Sequence, residues 1–320
     1  MRSIAPLLLL CACTSLTPDQ TDQLATHQRN AQFYYEGNKL AQALDQADRG
    51  LDLDPDDYKL NAIKGAVLLR GSGNDYKLLD QATALLAEVY DWRSPRYHEP
   101  FLLLPYALAE QKQGLRRLGE AIRIEDRASR AVEPELQSEL KQEAEEVRTA
   151  ARQRLLLADE VLSYLVERGE LLRVVYNHRM QIAMQLDNDA EFKEMSKAYF
   201  AQCKLDQKAT KEAIERTTTP QFEQEKLREY RDLLDEEADV RALVSDWHFR
   251  RGNFDESLAH INRVLEIDPQ RISDYYNRGR VLEAKNDIEA AKADFRLFLG
   301  ASSLPATSEK KIFAAEVLKR

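Results

Sequence analysis

The chain has 320 residues and a formal net charge of −9, with only 11 glycines and 10 prolines. An acidic chain lacks the basic surface that nucleic-acid binding requires, so we predict no nucleic-acid partner. The length allows a large core or an elongated array, and the abundance of strong helix-forming residues favours helices. Cys203 is the one cysteine beyond residue 13, which excludes an internal disulfide in the body of the chain and predicts a buried structural thiol.

The first thirteen residues have the layout of a secretory signal, with Arg2, an apolar run and a small residue before Cys13. The segment Leu10-Cys11-Ala12-Cys13 resembles the lipobox of bacterial lipoproteins. This resemblance implies a signal peptide over 1–12, a lipid on Cys13 and a short linker over 13–20. It also implies a lipid-anchored protein of the bacterial cell envelope, in the outer membrane and facing the periplasm. An ordinary cleaved signal, a misplaced start and a loose tail are the alternatives.

Residues 21–133 show small and apolar positions that predict short antiparallel helix pairs. One pair is predicted over 31–55 and a second over 57–90. A third, degenerate pair over 97–130 is predicted to break near Gly114. This section is therefore expected to be built from repeated units.

The section 134–237 departs from that spacing. Apolar residues at steps of three and four predict one amphipathic helix of about 30 residues over 134–168. Further helices are predicted over 171–186, 190–203 and, after a break at 217–220, 222–250. We predict that these enlarged helices continue the array, with a protruding helical hairpin as the alternative.

The C-terminal part repeats with a period of 34 residues, over 238–271 and 272–305. Ser245 aligns with Gly279 and Ser257 with Ala291, and small residues at these points let two helices approach closely. This pattern resembles the tetratricopeptide repeat family. The resemblance implies an all-α fold, a right-handed superhelical solenoid of helix pairs with an irregular long-helix middle section. Two regular units are then expected over 238–305, with a capping helix over 306–320.

In that family the first helix of each pair lines a concave face that receives a peptide or helix of a partner protein. The resemblance assigns partner-binding positions in three units. They are Asp239, Ala242, Asp246, Phe249 and Arg250 in the first regular unit, Ser273, Tyr276, Arg280, Glu283 and Ala284 in the second, and Gln28, Gln32, Tyr35 and Glu36 near the N-terminus. The Lys and Asn set of the family's carboxylate clamp is missing, which disfavours that binding mode.

No catalytic motif is present: the chain has no Gly-rich phosphate loop, no Gly-x-Ser-x-Gly and no His-Glu-x-x-His. His248 aligns with a packing position of the repeat. The acidic segment 52–57 lacks the central Gly and closing Glu of a calcium loop, and Asp54 and Asp56 are expected to end one helix and cap the next. We predict no catalytic residue, no metal site and no cofactor.

These observations predict a membrane-anchored, non-catalytic adaptor in cell-envelope assembly or secretion, rather than an enzyme. One alternative is an enzyme, or an enzyme activator, that uses the middle helices. That alternative requires several acidic and histidine side chains to converge in one pocket, namely Glu145, Glu146, Asp159, Glu160, His178 and Asp189. A cytosolic scaffold with a misread N-terminus is the other alternative, and the oligomeric state is not predicted.

Overall fold

The computed structural model describes residues 16–89 and 100–320, and all thirteen elements found there are α-helices. The predicted all-α class is confirmed. The predicted signal peptide and Cys13 lie outside the described residues. The chain divides into two compact units, Met1–Glu170 and Leu171–Arg320, so the predicted section 134–237 spans both.

The described part of the first unit contains six helices. They are α1 (Pro18–Glu36), α2 (Leu40–Leu51), α3 (Tyr58–Gly71), α4 (Tyr76–Val89), α5 (Pro100–Arg130) and α6 (Pro134–Glu167). The second unit contains seven: α7 (Leu172–Gln185), α8 (Asp189–Arg216), α9 (Pro220–Arg250), α10 (Phe254–Ile267), α11 (Ile272–Ala284), α12 (Ile288–Ala301) and α13 (Glu309–Lys319).

Side-chain caps mark where α1 and α3 begin. Thr17 and Gln20 form a reciprocal capping box, so α1 begins at Pro18, inside the predicted linker. The Asp57 carboxylate accepts a hydrogen bond from the Leu60 backbone N–H at 2.9 Å and caps α3. The expectation that Asp54 and Asp56 cap this helix is therefore wrong, because the carboxylate of the residue just before α3 is the one in reach.

The predicted break near Gly114 is also wrong, because α5 runs through it without interruption. A Cβ atom at Gly114 would lie 2.8 Å from Leu155 Cγ and 3.2 Å from the Ala151 carbonyl oxygen, both on α6. Gly114 thus lets two long helices approach closely instead of ending one of them. The Glu110–Arg154 ion pair, at 2.7 Å, also joins α5 and α6.

The prediction of a helix over 134–168 is confirmed by α6. Its first half forms a small separate core with the last half of α5, made of Ile124, Ala128, Leu140 and Ala144. This cluster contains residues of α5 and α6 alone. The two helices form one long antiparallel pair, which is the same kind of unit as the short pairs but with more turns.

In the second unit, α8 continues to Arg216, well beyond the predicted end at Cys203. The chain has no helix breaker between Cys203 and Thr217, and Pro220 then starts α9 at its first position. Cys203 is buried as predicted, and burial raises the pKa of its thiol to about 11. A thiol that stays protonated at neutral pH fits the predicted structural role.

Aromatic rings build the core of the second unit. Phe192 of α8 stacks on Trp247 of α9 with ring centroids 4.0 Å apart, and the Arg251 guanidinium lies 4.2 Å from the Trp247 ring. Further along, Phe295 and Phe298 of α12 pack with residues of α11 and α13 in one cluster. The last helix, α13, therefore covers the end of this core, at the place where a capping helix is predicted.

Candidate partner-binding face of α9 and α11

Small residues bring the two helices of each regular pair together, as the 34-residue alignment predicts. Ser245 of α9 and Ser257 of α10 each donate a hydroxyl hydrogen bond to the other's carbonyl oxygen at 2.9 Å. In the next pair, a Cβ on Gly279 would lie 2.7 Å from the Phe295 ring. Because these contacts hold α10 and α12 on one side, α9 and α11 present another side to solvent.

A small cleft, partly open to solvent, lies between α9 and α11. Its lining residues are Ala242, Ser245, Asp246 and Phe249 of α9 and Asn277, Arg280 and Val281 of α11. The structure therefore brings together four of the predicted partner-binding residues, Ala242, Asp246, Phe249 and Arg280. Asn277 was missed because the family's binding positions, carried over by alignment, do not include it.

Arg280 is the one cationic residue among those that line this cleft. Its guanidinium lies 4.6 Å from the Phe249 ring centroid and 6.0 Å from that of Phe313 on α13. Among the described residues no carboxylate forms an ion pair with it, and the side chain is exposed. A planar guanidinium on an aromatic ring keeps its hydrogen-bond donors available at the ring's edge. We refer to Phe249, Arg280 and Phe313 as the arginine platform.

The other predicted charges in these two units already have partners. Asp246 pairs with Arg250 at 2.7 Å on the same helix, and Asp239 pairs with Arg271 at 2.8 Å. Glu283 pairs with Arg320 at 3.0 Å. These are exposed or half-exposed pairs that water screens, so each can open for a competing charged group at small cost.

Tyr276 lies in the core rather than on the open face. Its ring centroid is 5.1 Å from Phe298, 5.9 Å from Phe295 and 6.1 Å from Phe313, and burial raises the pKa of its hydroxyl. Tyr35, in the first unit, is buried as well, with the Arg70 guanidinium 4.2 Å from its ring. The nearby Gln32 is half-exposed and donates a hydrogen bond to Glu36 at 2.8 Å.

A second cleft follows α9 near its N-terminal half and is lined by Arg173 and acidic residues that include Glu236. Arg173 pairs with Glu236 at 2.5 Å and with Asp206 at 3.3 Å, and the Tyr199 hydroxyl lies 3.2 Å from Glu236. Arg173 of α7 thus forms ion pairs with Asp206 of α8 and Glu236 of α9. This network holds the three helices together.

Within the first unit, the acidic residues required for the enzyme alternative do not all lie together. Glu146 and Asp159 of α6 are thirteen residues apart, a distance of about 20 Å along a helix. Asp189 pairs with Arg251 at 2.6 Å, and burial lowers the pKa of His178 to about 4. Within the described ranges, no three His, Cys, Asp or Glu side chains come together so as to hold a metal ion.

His248 and His260 stack with ring centroids 5.7 Å apart, and His248 is buried as its packing position predicts. The Arg241 guanidinium lies 3.3 Å from Nδ1 of His260, which requires a neutral ring that accepts the hydrogen bond. Burial, with Arg241 and His248 nearby, lowers the pKa of His260 to about 4. Burial also lowers the pKa of His248. Both histidines are therefore neutral packing residues.

Comparison with known proteins adds one local identification. The solved structure of yeast Tom70 is similar at 12% identity, and the match covers 94% of this chain and 70% of that chain. The structure of the P58(IPK) TPR domain is similar at 14% identity, and the match covers 92% of this chain and 98% of that chain. Their TM-scores are 0.23 and 0.21. No curated protein sequence matches the chain. Residues 275–303, which span most of α11 and all of α12, match the family model of the tetratricopeptide repeat, and the chain therefore contains a tetratricopeptide repeat at this position.

Proposed function

We propose that the protein is a membrane-anchored, non-catalytic adaptor that holds a segment of a partner protein on the face formed by α9 and α11. The observation that carries this proposal is the arginine platform, an exposed guanidinium on an aromatic ring that no carboxylate of the described residues neutralises. A few hot-spot residues supply most of the binding energy at protein interfaces, and arginine is among the residue types enriched there. Because no described carboxylate pairs with Arg280, its charge is available to an acidic group of a bound protein.

The cleft beside the platform suits a peptide or a helix of a protein partner. Its walls combine the Ala242 and Val281 side chains with the polar Asn277 amide, so one strip offers both apolar and hydrogen-bonding contacts. The exposed pair of Asp246 and Arg250 lies at its edge. A partner segment with an acidic group beside an apolar side chain would match the platform and the cleft together.

The test is affinity capture from detergent-solubilised envelopes, with bound proteins identified by mass spectrometry. The Arg280→Glu variant is expected to lose the partner, because the substitution reverses the charge at the platform. Arg296→Glu makes the same change on α12 at another exposed arginine, without a described ion pair, and is expected to retain it. Equal capture by both variants would remove the platform from the proposal. Tyr276 is unsuitable for this test because it is a core residue.

For the anchor, we propose that a lipid on Cys13 holds the protein to the outer membrane, facing the periplasm, where it serves assembly or secretion. The lipobox segment Leu10-Cys11-Ala12-Cys13 supports this. None of the described helices is both long enough and apolar enough to cross a bilayer. A tether of this kind raises the effective concentration of the adaptor near partners in the same membrane. Cys13→Ser is expected to move the protein from the membrane to the soluble fraction under high-salt washing, and an unchanged distribution would refute lipid anchoring.

A further inference from the structure

The solvent side of α8 carries a row of five exposed lysines. They are Lys193, Lys197, Lys204, Lys208 and Lys211, and we call them the lysine row. Because an α-helix turns about 100° and rises about 1.5 Å per residue, the five lie within an arc of about 60° and over about 27 Å. From Ala190 to Lys211 that arc contains no acidic residue. This is a concentrated positive strip on a chain whose net charge is −9.

The positive charge of the row is largely uncompensated. Lys208 approaches Glu212 at 3.9 Å, and the other four have no ion pair among the described residues. At the two ends, the Lys193 and Lys211 ammonium groups lie 6.0 Å and 5.2 Å from the rings of Trp247 and Tyr230 on α9. Apart from Glu212 beside Lys208 and Asp189 near Lys193, the described contacts of the row inside the unit are with aromatic rings, and most of its charges remain available to an external anion.

We propose that α8 binds a membrane surface that carries anionic lipid head groups. A straight row within a narrow arc can touch a flat surface with all its members at once. Lysine is a hydrated point charge on a flexible stem, which suits attraction to many mobile phosphates, whereas fixed recognition of one anion favours the arginine fork. The exposed Leu205 lies beside the row, where an apolar side chain can enter the interface.

The acidity of the whole chain does not oppose this contact. The Debye length is about 8 Å at physiological ionic strength, so carboxylates farther than that from the membrane are largely screened. Of the nearby acidic residues of α8, Glu194, Glu212 and Asp189 lie about 40° outside the arc, and Glu215 lies in line with it one turn beyond Lys211. Glu212 already faces Lys208, and Asp189 pairs with Arg251. The contact is additional to the anchor proposed at Cys13 and does not depend on it.

The experiment is vesicle co-sedimentation of the full chain carrying Cys13→Ser, so that no lipid modification contributes. Binding is expected to phosphatidylcholine vesicles that contain phosphatidylglycerol and not to phosphatidylcholine alone, with loss at high salt. The triple variant Lys197→Gln, Lys204→Gln, Lys208→Gln is expected to bind at least about tenfold more weakly. A matched control removes three other exposed lysines, Lys77, Lys141 and Lys319, by the same substitution and is expected to bind like the parent.

Melting curves by circular dichroism check that all variants remain folded. Failure of the parent chain to bind anionic vesicles would overturn the proposal, as would equal losses in the two triple variants. Binding to soluble polyglutamate through the lysine row, without binding to vesicles, would assign the row to an acidic protein and overturn the lipid proposal. Loss confined to the lysine-row variant supports it.

Discussion

Two glycines of α5, Gly114 and Gly119, allow a test of whether the close approach of α5 and α6 requires glycine. A Cβ at Gly114 would lie 2.8 Å from Cγ and 2.9 Å from Cδ2 of Leu155, a fully buried residue, and 3.2 Å from a backbone oxygen. A Cβ at Gly119, five residues later, would meet only the flexible end of Arg123 at 4.0 Å. Alanine therefore fits at Gly119 without rearrangement, whereas at Gly114 the buried Leu155 has to move.

The magnitudes follow from two opposing terms. Replacing glycine by alanine within a helix stabilises it by about 1 kcal/mol, and overpacking a core costs about 1–3 kcal/mol. Gly119→Ala is therefore expected to stabilise the first unit by about 1 kcal/mol. Both variants gain the same helix propensity. The first unit should therefore be less stable in Gly114→Ala than in Gly119→Ala by the packing cost alone, about 1–3 kcal/mol.

Hydrogen–deuterium exchange followed by mass spectrometry gives the local stability of peptides within α5 and α6. Relative to the parent chain, exchange in these peptides should slow in Gly119→Ala, and it should be faster in Gly114→Ala than in Gly119→Ala. Peptides of the second unit provide an internal reference that neither change should affect. If Gly114→Ala protects α5 and α6 as well as Gly119→Ala does, the close approach at Leu155 is not what requires glycine there.

Three further predictions concern the second unit. Asp294 is buried and accepts two hydrogen bonds from Arg278 at 2.7 Å, so Asp294→Ala should lower the free energy of unfolding by about 3 kcal/mol, measured by urea denaturation followed by tryptophan fluorescence. Tyr276→Ala should destabilise the same transition by about 3 kcal/mol because it removes a buried ring, whereas Tyr276→Phe should cost under about 1 kcal/mol. His260 has a folded pKa of about 4, below its unfolded value of 6.5, so the unfolded chain binds more protons between these values and stability should fall as the pH drops from about 6.5 to 4. His260→Gln should flatten that dependence in melting temperatures recorded across this range, and an unchanged slope would show that other groups cause it.

The repeat contacts could be predicted from the sequence because they depend on local spacing. Ser245 and Ser257 are twelve residues apart, and a helix, a tight turn and a second helix place them face to face. Gly279 meets Phe295 for the same reason. A 34-residue period therefore determines both which positions are small and which residues they contact.

The exposure of the candidate site could be predicted only in part. Position in a repeat determines which side of its own helix pair a residue occupies, so Asp246, Phe249 and Arg280 lie together in one cleft. Position in a repeat does not determine whether a helix outside that pair covers the residue. Tyr276 occupies an equivalent position but contacts Phe313 on α13, a helix that follows the last repeat and obeys no repeat pattern.

The two proposed surfaces of the second unit can be separated by experiment. The arginine platform involves α9, α11 and α13, whereas the lysine row lies on α8, and no residue is shared between them. Arg280→Glu should therefore lose the protein partner and still bind anionic vesicles. The substitutions at Lys197, Lys204 and Lys208 should weaken vesicle binding and leave partner capture from solubilised envelopes intact. If either set of changes abolished both activities in folded protein, a single surface would serve both, and the assignment of separate partners to α8 and to the platform would be refuted.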